Sequence, residues 1–218
     1  MDERRISPEA SCRSILASDL RGVPVIDVDA AAKLGHVREL MLDTRAHRVA
    51  GVLVQVGRQL LGHADTLTIP AEAINVAGVD ALTVRRLGGR YEGCFELAGY
   101  PPCAALVGRR IIGWSGRILG AVADILIDRC TGAVDGYVLA VRRPRPRAWL
   151  SSPAEVRQLD YVRAARARIG PQIVVAPDGA IVRGALVVGP AAHEPPGDRP
   201  DGWGSAMQNC TTGPARAL

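Results

Sequence analysis

Hydrophobic residues along the chain occur in short runs that predict β-strands. The runs are rich in valine and isoleucine and are bounded by glycine, aspartate and proline, which is typical of strands joined by tight turns. In the first half they predict strands near 23–26, 36–43, 49–56, 66–69 and 81–84. In the second half they predict strands near 110–113, 121–128, 134–141 and 148–151, with a last strand near 173–175 or 180–182. The chain is therefore predicted to be mainly β.

The pattern of the first half recurs in the second half. Positions 34–43 read LGHVRELMLD, and positions 119–128 read LGAVADILID. Upstream, LRGVPVI at 20–26 corresponds to LVGRRII at 106–112; downstream, VAGVLVQ at 49–55 corresponds to VDGYVLA at 134–140. The segment IPAEAI at 69–74 is paired with SPAEVR at 152–157. Self-similarity of this kind predicts two tandem homologous units.

Each unit is predicted to be a small antiparallel β-barrel. We place the first unit at residues 14–87 and the second at 105–188, with a linker at 88–104. Five or six short strands in so few residues favour a closed or nearly closed barrel, because closure removes exposed strand edges. The last residues, 189–218, contain proline and glycine throughout and show no periodicity, which predicts a disordered tail.

A short helix is predicted in the second unit, between residues 152 and 170. Ser152 is placed as its N-cap and Glu155 as the second member of a capping box. Pro153 occupies its first turn, and Gly170 with Pro171 ends it. The expected buried stripe of this helix consists of Val156, Leu159, Val162 and Ile169.

Four repeated residues are assigned structural roles. Asp43 and Asp128 end equivalent strands and open a turn, where a carboxylate accepts hydrogen bonds from the N–H groups of the turn. Gly35 and Gly120 begin the same strands, where the missing Cβ permits a bulge or a close approach of another backbone. These residues are predicted to shape the hairpins.

No catalytic, metal or cofactor site is predicted. The mid-strand acids Glu39 and Asp124 recur once per unit without a second group that completes a catalytic pair, and we expect them to face solvent or a partner. The five cysteines are scattered without a CxxC and the four histidines are isolated, which disfavours a zinc or iron–sulfur site. The lack of a catalytic group leads us to expect a non-enzymatic protein. No signal segment and no run of about 20 apolar residues is present, so we expect the protein to be cytoplasmic.

Positive charge is the compositional feature that bears on partners. The net charge is +5, and Lys33 is the only lysine among 27 basic residues. Two explanations stay open: arginine-biased codon usage, and selection for binding an anion. The densest run is RRPRPR at 142–147. The candidate anion or partner contacts are Arg142, Arg143, Arg145, Arg147, Arg163 and Arg166.

The ordered series of repeated motifs resembles the PRC-barrel, the small β-barrel of the cytoplasmic part of the photosynthetic reaction-centre H subunit. A similar barrel forms the carboxy-terminal domain of a bacterial ribosome maturation factor. The matching motifs of the first unit are Leu20-x-Gly22-x-x-Val25, Leu34-Gly35-x-Val37-x-Glu39-x-x-x-Asp43, Val49-x-Gly51 and Ile69-Pro70-x-Glu72-x-Ile74. Those of the second unit are Leu106-x-Gly108-x-x-Ile111, Leu119-Gly120-x-Val122-x-Asp124-x-x-x-Asp128, Val134-x-Gly136 and Pro153-x-Glu155.

The resemblance implies a fold and a protein-binding habit, and no functional residue is carried over from it. We expect a cytoplasmic adapter or scaffold whose paired barrels bind a protein partner or each other. Two alternatives stay open: binding of RNA, the ribosome or an anionic membrane surface through the arginine-rich loop, and a role in electron or proton transfer similar to that of the reaction-centre subunit. A homodimer is also compatible with the sequence.

Overall fold

The computed structural model of the protein describes residues 14–57, 65–78, 80–85, 97–140 and 156–188. The first half contains β1 (Ser14–Leu16), a single helical turn α1 (Ala17–Leu20), β2 (Pro24–Asp27), β3 (Ala32–Asp43), β4 (Arg48–Val56), β5 (Asp65–Pro70), β6 (Ile74–Ala77) and β7 (Leu82–Val84). The second half contains β8 (Arg110–Gly113), β9 (Ile118–Asp128), β10 (Val134–Leu139), β11 (Val156–Arg163), β12 (Arg168–Ile169), β13 (Ile173–Ala176) and β14 (Ile181–Val188). Short 3-10 turns occupy Ala71–Ala73, Leu97–Gly99, Cys103–Ala105, Ala164–Arg166 and Asp178–Ala180.

The strands form two sheets, one for each half of the chain. The first has the order β5-β4-β3-β2-β7-β6, and the second has the order β12-β13-β8-β9-β10-β11-β14, with β1 added beside β9. The predicted mainly β fold class is confirmed. The pairing is antiparallel except at two equivalent places, where β7 runs parallel to β2 and β13 runs parallel to β8. The parallel pairs arise because the second strand of the β6–β7 hairpin lies beside β2, and the second strand of the β12–β13 hairpin lies beside β8.

Equivalent hydrogen-bond registers relate the two sheets. Gly51 on β4 lies opposite Pro70 on β5, and Gly136 on β10 lies opposite Arg163 on β11. A 3-10 turn follows in both halves, at Ala71–Ala73 and Ala164–Arg166. The predicted pairing of the two Pro-Ala-Glu segments is therefore wrong, because the counterpart of Pro70 is Arg163 rather than Pro153. The second unit has more residues between β10 and β11, and a local match of three residues did not reveal that insertion.

The predicted helix between residues 152 and 170 is also wrong. Val156–Arg163 form strand β11, which pairs with β10 on one side and with β14 on the other. Capping signals are worth about 1 kcal/mol each, whereas pairing with two neighbouring strands provides many hydrogen bonds and favours β-branched and aromatic residues. Val162 is fully buried between half-buried Tyr161 and exposed Arg163. Residues 148–155 and the tail at 189–218, for which a strand, the helix start and disorder were predicted, lie outside the described residues.

A segment from each half of the chain contacts the sheet of the other half. Strand β1 begins the first unit but pairs with β9 of the second, with Leu16 opposite Leu126. In the reverse direction, the N–H group of Leu42 on β3 donates to the carbonyl of Pro101, which precedes the second unit. We call residues 14–20 and 97–105 the exchanged arms. The second arm occupies the described part of the linker predicted at 88–104, so this part of the linker packs on the first sheet.

A single hydrophobic core extends across both sheets. Leu20, the last residue of the first arm, and Leu106, which follows the second arm, are fully buried, as are Ala71 and Ala164 in the equivalent 3-10 turns. Among the described residues that are buried in this core, Tyr137 is the only aromatic one, and the others are almost entirely aliphatic. Unfolding of the two units is therefore expected to be coupled.

The β3–β4 and β9–β10 turns meet where the two units touch. The N–H group of Val49 donates to the carbonyl of Gly132, and the N–H group of Val134 donates to the carbonyl of His47, both at 2.8 Å. These two hydrogen bonds join equivalent positions with donor and acceptor exchanged, so a pseudo-twofold axis passes between the turns. His47 and Gly132 both have a positive φ, of 51° and 68° respectively.

Candidate functional site

Asp43 and Asp128 hold the two turns at this axis. Oδ1 of Asp43 accepts hydrogen bonds from the N–H groups of Arg45 and Ala46, both at 2.9 Å. Oδ1 of Asp128 accepts from the two corresponding N–H groups at 2.9 and 2.8 Å. Both carboxylates therefore fix turn conformation, the role that the sequence assigned to them.

Gly35 and Gly120 lie at equivalent bulges in β3 and β9. A Cβ on Gly35 would lie 2.1 Å from the carbonyl oxygen of Gln55, which is closer than any real contact. Gly120 has a φ of 155°, and a Cβ there would approach a methyl group of Leu139 at 3.0 Å. The first bulge therefore requires glycine for lack of space, and the second requires it mainly for backbone conformation.

The repeated mid-strand acids anchor helix α1 between the two units. Asp124 accepts hydrogen bonds from the hydroxyl group and the N–H group of Ser18, the latter at 3.3 Å. Glu39, whose side chain is 14% exposed, forms an ion pair with Arg21, which follows the helix. The expectation that both acids face solvent or a partner is therefore corrected, because each has an intramolecular partner. Through these contacts α1 is bonded to the second unit on one side and to the first unit on the other.

Burial shifts the pKa values of three titratable groups, His47, Tyr137 and Cys103. Nδ1 of His47 lies 3.2 Å from the hydroxyl group of Tyr137. Burial lowers the pKa of His47 below its ordinary value of 6.5, and the negative charge of Asp43 opposes this shift. Burial also raises the pKa of Tyr137 and of the Cys103 thiol. All three groups are therefore neutral at pH 7.

The lowered pKa of His47 predicts a loss of stability in mild acid. In the unfolded chain the imidazole binds a proton as the pH falls through about 6.5, whereas the folded protein resists protonation. The contribution of neutral His47 to stability is therefore fully present above pH 6.5 and decreases below it. We expect His47→Asn, which tolerates a positive φ, to reduce this decrease. The measurement is the free energy of unfolding in urea at pH 7.5 and pH 5.5 for both proteins, and an equal decrease in both would contradict the prediction.

The second sheet exposes an apolar surface. Ile112 on β8 lies opposite Ile118 on β9 and Val175 on β13, so the three side chains share one side of the sheet. Ile118 is 59% exposed, and Trp114 in the β8–β9 turn is 71% exposed. Ile173, two residues before Val175 on the same side of β13, is also exposed. We call these five residues (Ile112, Trp114, Ile118, Ile173 and Val175) the apolar face.

Polar or smaller residues occupy the equivalent positions of the first sheet. There Ile26 lies opposite Lys33 on β3 and Thr83 on β7, which stand where the apolar face has Ile118 and Val175. The remaining equivalent positions are Val28 for Trp114 and Ala81 for Ile173. The outer surfaces of the two sheets therefore differ, although their hydrogen-bond registers correspond.

Two arginines lie beside residues of the apolar face. Arg110 is the cross-strand neighbour of Ile173, and Arg168 on β12 is the cross-strand neighbour of Val175. Cross-strand neighbours project from the same side of a sheet, so both guanidinium groups lie beside the apolar side chains. Both arginines are exposed. Within the described residues, neither forms an ion pair.

A carboxylate from a distant loop holds the turn that carries Trp114. In the first unit, Asp27 accepts two N–H groups of its own turn, at 2.9 and 3.0 Å. The second unit has Gly113 at that position, and Asp178 instead accepts the N–H group of Ser115 at 3.1 Å and its hydroxyl group at 2.7 Å. These hydrogen bonds lower the pKa of Asp178. A Cβ on Gly113 would lie 2.1 Å from the Asp178 carboxylate, so glycine makes room for it.

The structure separates the arginines that the sequence singled out. Arg163 is exposed at the end of β11, with β9 and β10 between it and β8, and Arg166 is exposed in the following 3-10 turn. Arg142, Arg143, Arg145 and Arg147 lie outside the described residues. The sequence analysis did not name the apolar face. The sequence did contain a signal for it. When the two halves are aligned at Gly35 and Gly120, the charged Lys33 corresponds to the apolar Ile118.

Comparison with known families supports the assignment of the first unit. Residues 13–90 match the family model of the PRC-barrel domain. The mainly β architecture is consistent with that fold. The match includes β1, the strand that joins the sheet of the second unit. No curated protein was found to match the chain. Within the described residues, no helix has the length and apolar character needed to cross a bilayer.

Proposed function

We propose that the protein is a non-enzymatic cytoplasmic adapter built from two PRC-barrel-like units, of which the second binds a protein partner through the apolar face. The assignment of the second unit as a second copy of the barrel is supported by its equivalent registers, bulges and parallel strand pairs. The first unit, the exchanged arms and the shared core hold the second unit in a fixed orientation.

The observation that carries this proposal is the divergence of one surface within a repeat. The first unit holds Lys33 and Thr83 at two positions of its outer surface, whereas the equivalent positions of the second unit hold Ile118 and Val175. A tryptophan that is 71% exposed stands beside them. Tryptophan and arginine are the residues most enriched at the centres of protein interfaces, and contiguous exposed apolar surface marks interaction sites.

The test is capture of binding proteins from the native lysate by the tagged protein, with quantitative mass spectrometry of four forms. We expect a defined protein to be retained by the wild type and lost from the double variant Trp114→Ser and Ile118→Lys, which gives position 118 the character of its first-unit counterpart. Val28→Ser is the matched control in the first unit and should retain the partner. An unchanged set of captured proteins in the Trp114 and Ile118 variant would contradict the proposal.

A fourth form tests the alternative function, binding of RNA, the ribosome or an anionic membrane surface through the arginine-rich loop. It replaces Arg142, Arg143, Arg145 and Arg147 by alanine. Loss of nucleic acid or lipid-associated material from this form, with a steep decrease between about 50 and 300 mM salt, would favour the alternative, because phosphate contacts weaken steeply with salt. Capture of photosynthetic reaction-centre proteins would instead favour a role in electron or proton transfer.

A further inference from the structure

We propose that the partner segment bound by the apolar face is acidic, with carboxylates that pair with Arg110 and Arg168. This inference rests on the proposed function and names the chemistry of the partner. It follows from the positions of the two guanidinium groups, which are the direct cross-strand neighbours of Ile173 and Val175 rather than residues at a distant rim.

Docking on the apolar side chains would remove water from these guanidinium groups. Arg110 and Arg168 have no ion-pair partner among the described residues, and the carboxylate of Asp178 in the same sheet's turn region is hydrogen-bonded to Ser115. A buried charge without a partner is strongly destabilising, whereas a bidentate pair of arginine with carboxylate is among the strongest hydrogen-bonded contacts in proteins. A partner that covers the isoleucines must therefore bring negative charge to two fixed positions.

The same charges argue against a second copy of this chain as the occupant. A twofold-symmetric contact between two apolar faces would bury the arginines of both copies in an interface to which the face itself brings no carboxylate, because such a contact uses the same patch twice. Buried charges without a partner are strongly destabilising. The face is therefore complementary to an anionic partner and not to itself.

Composition favours a protein segment over a lipid surface. The face combines one tryptophan and four branched aliphatic residues, two arginines lie beside it, and none of these positions is a lysine. Protein interfaces are enriched in tryptophan and arginine and depleted in lysine, whereas binding to anionic lipid relies on the number of basic residues of either kind. We therefore assign the face to an acidic protein segment and treat lipid binding as an outcome of the test.

The experiment places a photo-cross-linking amino acid at position 118 of the full-length chain and identifies the cross-linked peptides from the native lysate. We expect a short segment rich in aspartate and glutamate. Arg110→Gln with Arg168→Gln should lower the yield of this cross-link about tenfold, which corresponds to about 1.4 kcal/mol. Lys33→Gln, which removes a positive charge at the counterpart of position 118 in the first unit, should leave the yield unchanged. The same probe at position 33 should not give this cross-link.

The outcomes separate the two proposals. A cross-linked protein segment that is not acidic, or a yield that does not depend on Arg110 and Arg168, overturns the acidic partner and leaves the adapter function intact. Cross-links to lipid or RNA, or to a second copy of the chain, overturn it as well. Absence of any cross-link at position 118, with the variant folded as judged by circular dichroism and thermal unfolding, overturns the adapter function and this inference together.

Discussion

Replacement of Gly35 by alanine is expected to destabilise the protein by about 3 kcal/mol or more, because the new methyl group has no space. A Cβ at this position would lie 2.1 Å from the carbonyl oxygen of Gln55 and 2.9 Å from its carbonyl carbon. Both atoms belong to the backbone of β4, which is paired on its two sides with β3 and β5. No side-chain rotation relieves such a contact, so β3 and β4 must separate at the bulge.

The measurement for Gly35→Ala is the midpoint of thermal unfolding. For a chain of this length, a loss of about 3 kcal/mol lowers the midpoint by roughly 10 °C. Gly99→Ala is the matched control, since no atom lies within 4 Å of a Cβ there, and we expect a change within about 0.5 kcal/mol. Insolubility of Gly35→Ala beside a soluble Gly99→Ala supports the same conclusion. Equal midpoints for the Gly35 variant and the wild type would show that the bulge accommodates a side chain.

Leu16→Ala is expected to destabilise the second sheet, although Leu16 lies at the start of the first unit. The side chain is 5% exposed and packs in a small cluster with Leu126 of β9 and Val138 of β10. Truncation of a buried leucine costs about 2 to 5 kcal/mol. We expect a value near 3 kcal/mol, because the cluster is small and partly open.

The location of this destabilisation shows whether the arm packs on the sheet of the other unit or on the sheet of its own unit. In native-state hydrogen exchange, Leu16→Ala should reduce the protection of amides in β9 and β10 more than that of amides in β3 and β4. The mirror variant Leu97→Ala removes a side chain that packs on Met41 and Ala50 of the first sheet, and it should show the opposite pattern. Loss of protection confined to the first sheet in Leu16→Ala would be incompatible with the observed pairing of β1 with β9.

The strands were predictable because they depend on local pattern. A strand buried on one side alternates apolar and polar residues, and the predicted strand at 110–113 coincides with β8, while that at 36–43 covers most of β3. The turn roles of Asp43 and Asp128 were predictable for the same reason, since the carboxylate bonds to its own turn. The mainly β class followed directly from these elements.

The errors occurred where distant partners decide the outcome. Residues 152–170 carry helix-capping signals, but the neighbours of β11 lie on β10 and β14, which the local sequence does not specify. The pairing of β1 with β9 could not be predicted either, because nothing in the sequence Ser14-Ile15-Leu16 indicates which sheet the strand joins. Recognition of the apolar face requires the strand register across both bulges. Counted between equivalent cross-strand pairs, the turn after β2 has one more residue than the turn after β8, so the number of residues separating equivalent positions changes at that point.

The exchanged arms also bear on how protein concentration affects this fold. A chain with only one unit would lack the arm that covers its own sheet and would need to obtain it from a second molecule, so its fold would weaken on dilution. In this chain the donor and the acceptor are covalently joined, and association is replaced by an intramolecular contact at high effective concentration. The stability of the tandem chain should therefore be independent of its abundance in the cell. Because the two halves differ in sequence, one outer surface can be apolar while the corresponding one is polar, which identical subunits of a homodimer cannot achieve.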